Sequence, residues 1–319
     1  MVAPSCAVMV LSVMLTSLCT KYSQFILVQG VLGGMAIGMI FAPAISIPGQ
    51  YFSRRRAFAS GIASSGAPVG GALFPLVLNR LLSLPNLGFG WSVRIVGFIM
   101  LILLTGASIL IVEFAPRRRG RFFIPIAFKN PPYIMINLAT ITLVLGLFTP
   151  IFYIGSYGVQ HGMGFQFALY LISILNCAST IGRITLGYIA DKIGRYNTMS
   201  ITMASTGILT FCWTSTNSVA SITVFAAIFG FFSGAVTSLY PPCIAQVTPN
   251  PSDIGTYVGM GMGTVSLSAL AGTPINGALV SRYHSYDQAA AFSGAVLIAG
   301  AFITAVGRFT IKRELFAVA

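Results

Sequence analysis

Apolar residues run along the chain in blocks of about 20, and the short stretches between the blocks hold most of its charges. A block of that length crosses about 30 Å of hydrocarbon as an α-helix and is twice as long as a barrel strand. The pattern predicts ten helices, over residues 3–19, 24–47, 57–82, 92–112, 133–156, 165–189, 197–214, 219–240, 254–281 and 288–309. The first has no basic residues ahead of it and is followed at once by a second span, so it reads as a retained helix rather than a cleaved leader. The expected fold is an all-α polytopic membrane bundle.

Composition removes the soluble alternative. With 56% hydrophobic residues, 7% charged residues and a mean hydropathy of +0.88, the chain cannot bury its apolar surface in one core and still offer water a polar face. The net charge of +13 then serves orientation. Arg54, Arg55 and Arg56 share one loop. Arg117, Arg118, Arg119, Arg121 and Lys129 share another, Lys192 and Arg195 a third, and Arg308, Lys312 and Arg313 the tail. All four groups fall on one side of the ten spans, which places them and both termini in the cytosol. A nucleic-acid partner is not expected, because the aromatic residues interleave with the apolar runs and not with these clusters. Trp91 and Trp213, near span ends, fit an interfacial aromatic belt.

The chemistry of a catalyst or metal centre is missing. Cys6, Cys19, Cys177, Cys212 and Cys243 lack metal-site spacing, and His161 and His284 fall in separate outer loops. The five acids, Glu113, Asp191, Asp253, Asp287 and Glu314, all avoid the middle of a span. No enzyme, metal or cofactor is expected.

Two further patterns concern packing. Residues 25–82 align with 225–281 at a steady offset of about 200, pairing Gly30 with Gly230, Gly34 with Gly234, Gly61 with Gly259 and Pro75 with Pro274, which suggests two related halves. Small-residue spacings recur in three spans: Gly30, Gly34 and Gly38 in the second, Gly66 and Gly70 in the third, and Gly255, Gly259 and Gly263 in the ninth. These are candidate sites of close helix contact.

Arg183 stands apart. A cation at membrane depth costs about 2.5–3.5 kcal/mol unless it faces protein or a watery interior. Asn176, Ser179, Thr180, Arg183 and Gly187 recur at three- and four-residue intervals and so share one helix face, a polar stripe suited to a cavity. With no acid at its depth, Arg183 either snorkels toward the interface some 12 Å away or awaits an anionic solute that would accept a bidentate hydrogen bond. Asn137 and Tyr153 are further candidate solute contacts, with Tyr157, Gln29 and Tyr240 weaker ones; each also suits an interhelical hydrogen bond or an interfacial anchor.

Three stretches carry a resemblance: GRITLGYIADKIGR (182–195), YFSRRRAFASGIASSGAPVGGALFP (51–75) and GFGWSVRIVGF (88–98). The chain resembles the major facilitator superfamily, and within it the monocarboxylate-transporter-like branch common in fungi. The resemblance implies a twelve-helix fold of which helices 3 to 12 are present, so that the chain is expected to be N-terminally incomplete. Its parts would be an incomplete first bundle (1–116), a basic cytosolic loop (117–131) and a six-helix second bundle (132–319). It implies secondary-active transport of small organic anions, monocarboxylates among them, by rocking alternating access in the plasma membrane, with a coupled proton as a candidate partner. It also implies a carboxylate-binding role for Arg183 and a gating latch at Asp191 and Arg195, packed at Gly187. Ser179 stands where animal members carry an acid, a departure that bears on proton coupling. A substrate-sensing receptor or a non-transporting remnant is the alternative reading; no accessory subunit is specified.

Overall fold

The computed structural model describes residues 2–52, 54–110 and 123–310. Arg117, Arg118, Arg119, Arg121, Lys312, Arg313, Glu113 and Glu314 lie outside the described residues. Within the described residues, twelve α-helical segments follow in chain order: α1 (Val2–Thr16), α2 (Tyr22–Phe25), α3 (Gly34–Tyr51), α4 (Arg56–Ser64), α5 (Gly66–Leu82), α6 (Gly88–Leu110), α7 (Pro131–Gln160), α8 (Phe165–Ile193), α9 (Arg195–Cys212), α10 (Val219–Val247), α11 (Ile254–Tyr283) and α12 (Asp287–Phe309). A π-helical stretch, Ile26–Gly33, joins α2 to α3, so these three pieces make one span, as do α4 and α5. The apolar blocks therefore become helices at the expected places. Among the described residues, eight spans are long and apolar enough to cross a membrane, and Ala3–Thr16 is a shorter apolar helix.

α9 reaches its packing by another route. Thr198, Thr202, Thr206 and Thr210 lie one turn apart on its buried face, and each hydroxyl donates to the carbonyl four residues back, at 2.7–2.9 Å. With its hydrogen satisfied inside the helix, each threonine is buried as a compact side chain, while Ser200, Met203, Gly207 and Phe211 meet α12.

The chain divides into two compact units. The first comprises residues 1–47 and 73–118. In it α1 packs on α6: Arg94 Nε donates to Ser17 Oγ at 3.1 Å, and Met14 lies against Gly97. Ser12 Oγ donates to the Val28 carbonyl in the π-helical stretch at 2.7 Å, supplying a partner where the helical ladder is irregular.

The second unit comprises residues 48–72 and 119–319 and holds the larger core. α8 and α10 run parallel, with Gly230 against the Leu175 carbonyl and Gly234 against Ser179; a Cβ on Gly182 would overlap the Phe231 carbonyl. α7 meets α12 through Gly146 and Gly300, and α9 meets α12 through Gly207 and Gly294.

The glycine spacings singled out in the sequence are placed differently. Nothing lies within 4 Å of a Cβ built on Gly34, Gly38, Gly66, Gly259 or Gly263, and Gly30 meets only Ile26 of its own helix. Gly70 is half-buried on α5, and the next residue, Gly71, faces α8 at Asn176. Gly255, in the first turn of α11, is half-buried as well. Spacing puts glycines on one face but does not choose the face that meets a neighbour. Trp213 also departs from the belt expected of it: it is fully buried among Tyr157, Phe225 and Tyr286, because the 3-10 turn Trp213–Ser215 folds the indole inward.

Candidate functional site

α8 carries the Arg183 stripe and packs within its unit against α10 and against α4 and the first turns of α5, with α4 also meeting α10. The α4–α5 segment runs antiparallel to α8 at close range. Gly61 sits on the Arg183 carbonyl, Gly187 on the Ala57 carbonyl and Gly71 on the Asn176 amide, while Ser173 Oγ donates to the Ala72 carbonyl at 3.2 Å.

Pro68 interrupts this segment and places the arginine. Proline has no N–H, so the Ser64 carbonyl four residues earlier loses its helical donor. Arg183 Nη1 donates to that carbonyl at 3.0 Å, and Nε lies 3.5 Å from Ser179 Oγ. The side chain therefore runs back toward Ser179, away from the Asp191 end of α8, which is opposite to snorkelling. Both oxygens it meets are neutral, and no carboxylate of the described residues lies within ion-pair distance. Among the described residues Nη2 has no hydrogen-bond partner, and Arg183 is only partly buried, so part of the fork remains available.

The rest of the stripe divides. Asn176 Nδ2 donates to the Ile172 carbonyl at 2.9 Å, Thr180 Oγ1 donates to the Asn176 carbonyl at 3.1 Å, and Ser179 is buried against Gly234 of α10. Asn176, Ser179 and Arg183 thus share one neighbourhood. Asn137 and Tyr153 lie elsewhere. Asn137 is buried near the start of α7, where Nδ2 donates to the Tyr133 carbonyl at 2.7 Å and Oδ1 accepts from Tyr240 Oη at 2.9 Å. Tyr153, 16 residues further along and so about 24 Å away by helical rise, lines a hollow with Phe148, Thr149 and Asn276, its ring 5.7 Å from that of Tyr286.

At the other end of α8, Asp191 joins three donors. Its Oδ2 accepts from the Phe58 N–H at 2.9 Å, and its Oδ1 accepts from the Ala57 N–H at 3.1 Å and from Arg195 Nη2 at 3.4 Å. Ala57 and Phe58 belong to the first turn of α4, whose N–H groups have no helical acceptor and whose dipole end favours an anion. One carboxylate thus caps α4 and ties it to α8. Gly194, at φ +100°, ends α8 in a conformation that glycine adopts without cost and starts α9 at once.

Sequence reasoning missed two features. The loops of His161 and His284 meet: both residues line a cavity of about 210 Å³ with Tyr157, Gln160, Tyr286 and Asp287. His161 Nδ1 lies 2.9 Å from the Tyr157 carbonyl, and His284 holds a left-handed φ of 50°. Among the described residues no group of three metal-ligating side chains converges. The second feature is Ser64, whose signal was Pro68, four residues on.

Comparison with known proteins adds to this geometry. The model described as Major Facilitator Superfamily matches residues 1–250 and 171–315. The aspyridones efflux protein apdF of Emericella nidulans is 47% identical over 291 residues, covering 91% of this chain and 60% of that protein. The MFS-type transporter pynF of Aspergillus niger is 37% identical, covering 97% of this chain and 72% of that protein. The agnestins efflux protein of Paecilomyces divaricatus is 38% identical, with 97% and 71% covered. Among solved structures, the fucose:proton symporter FucP of E. coli superposes with a TM-score of 0.71 at 12% identity, over 97% of this chain and 83% of that one, a likeness of fold.

Proposed function

The chain belongs to the Major Facilitator Superfamily, and from that membership we propose that it is a secondary-active transporter of organic anions, working by alternating access in the export direction. Export rests on two relatives being named efflux proteins, and the solute class rests on Arg183. The observation that carries the reading is a guanidinium held by two neutral oxygens, with no carboxylate partner among the described residues and Nη2 available. A cation so placed is stabilised by an arriving anion, and a planar fork favours a carboxylate or a related planar anion over a halide. Monocarboxylates fall within this class. So do larger acidic compounds, and the efflux relatives favour these over short acids.

Asn176 and Ser179 share the Arg183 neighbourhood and complete the anion contact, whereas Asn137 and Tyr153 act as helix-packing residues at other depths. Asp191, Arg195 and Gly187 form the latch: the α4–α8 tie breaks as the transporter changes state. The test is direct binding. Purified chain titrated with an organic acid and with its methyl ester should bind the acid only, and Arg183→Ala should abolish the difference. Equal binding of acid and ester by the unmodified chain would refute the anion assignment.

A further inference from the structure

The end of α8 and the start of α4 gather Arg55, Arg56, Lys192 and Arg195 around one carboxylate, Asp191. That carboxylate is engaged by the Ala57 and Phe58 N–H groups and by Arg195. Arg56 is turned onto the backbone, its Nε donating to the Phe52 carbonyl at 3.1 Å and its Nη1 to the Ala245 carbonyl at 3.4 Å. Arg55 and Lys192 remain. Both are exposed, and neither pairs with a carboxylate among the described residues.

These two cations share one neighbour, Tyr188. The Lys192 ammonium lies 4.4 Å from the centre of its ring, and Arg55, at the N-cap of α4, is three residues before Phe58, whose ring meets that of Tyr188. The ring meets Phe58 edge-on at 6.0 Å, which fixes it between α4 and α8. Around it the surface is apolar and open. Tyr188 is 46% exposed, Ile193 45% and Phe52 53%, and Ile181, seven residues before Tyr188 on the same helix face, is 59% exposed. A soluble anion has no use for that rim. A phosphodiester carrying acyl chains uses both parts, its phosphate against the cations and its chains along the Ile181–Tyr188 face.

We propose that this end of the α4–α8 pair is a binding site for an anionic phospholipid, with the headgroup phosphate between Arg55 and Lys192. Arg55 is the residue just before α4 and Lys192 lies in the last turn of α8, so the lipid bridges the two elements that Asp191 already ties. Anionic lipid is therefore a stabiliser of the latched state. The site is independent of the solute and of Arg183. It sits in the cytosolic leaflet, where anionic lipid is concentrated, on the orientation read from the basic loops.

The experiment is lipid retention by the full chain, taken into nanodiscs of phosphatidylcholine with or without phosphatidylserine, and read by native mass spectrometry. The unmodified chain is expected to retain phosphatidylserine over phosphatidylcholine. Arg55→Gln and Lys192→Gln should each lower that preference about fivefold, and the double variant about 30-fold. Arg80→Gln, an exposed arginine at the far end of α5, should leave it unchanged. Glycerophosphoserine, which lacks acyl chains, should not displace the lipid. Undiminished retention by the double variant, an equal loss in Arg80→Gln, or displacement by glycerophosphoserine would each overturn the proposal. Because the readout is lipid retention, it stands or falls separately from transport.

Discussion

Arg183 is placed by a partner 119 residues away, the carbonyl of Ser64. Its position in an apolar run and its place on a polar stripe are visible in the sequence, but its donor geometry depends on Pro68 leaving that carbonyl free, a relation between two helices that no local pattern encodes. Arg183→Lys keeps the charge and loses the fork, so the variant should keep the Ser64 contact while losing Nη2. Solute affinity is expected to fall by at least tenfold with membrane abundance unchanged, measured by binding to matched expression levels. Asp191 offers a graded test, because it serves two N–H groups at once. Asp191→Asn retains one acceptor oxygen and loses the charge, which should cost about 1 kcal/mol at the start of α4. Cysteine probes placed at that end of α4 should become more reactive while solute affinity in the open state holds. A collapse of affinity with unchanged reactivity would make Asp191 part of solute recognition instead.

Helices were the legible element, since a membrane span needs a long apolar run and its ends are marked by charge and glycine. All ten expected spans have a helical counterpart, eight of them, among the described residues, long and apolar enough to cross a membrane, with boundaries within about seven residues. Helix contacts were not legible. Gly34 and Gly38 have the spacing of a packing motif yet meet open space, whereas the close α8–α10 contact is made by Gly230 and Gly234 of α10, four residues apart, and by Gly182 of α8, which has no glycine four residues to either side. Gly66 likewise meets open space, and the neighbouring glycine that reaches α8 is Gly71, one position outside the motif. Trp213 was misplaced for a related reason: hydropathy locates a residue along the helix axis and says nothing of which way the following turn folds. Gly182→Ala should therefore force α8 from α10 and destabilise the chain by about 1–3 kcal/mol, seen as a lower unfolding temperature in detergent. Gly34→Ala should leave that temperature unchanged or slightly raised. Equal destabilisation by both would mean that the α8–α10 contact is not the tight one.

At the scale of the whole molecule the sequence yielded the class, an all-α membrane bundle of the Major Facilitator Superfamily, through composition, apolar periodicity and the GRITLGYIADKIGR stretch. It could not show that the loops of His161 and His284 converge, because nothing in either loop refers to the other. Nor does it choose among acidic solutes, since one arginine reports a charge and not a molecular frame. The chain spans 60% of the apdF protein and 72% of pynF, so transport is best measured on the chain and on a form extended to its relatives' length, side by side. The most direct measurement is gradient-driven movement of an organic acid across proteoliposomes, with its methyl ester as control and Arg183→Lys beside the unmodified sequence. The account predicts accumulation of the acid against its gradient, little movement of the ester, and a loss of at least tenfold in the lysine variant. Accumulation of acid and ester alike, undiminished in Arg183→Lys, would contradict it.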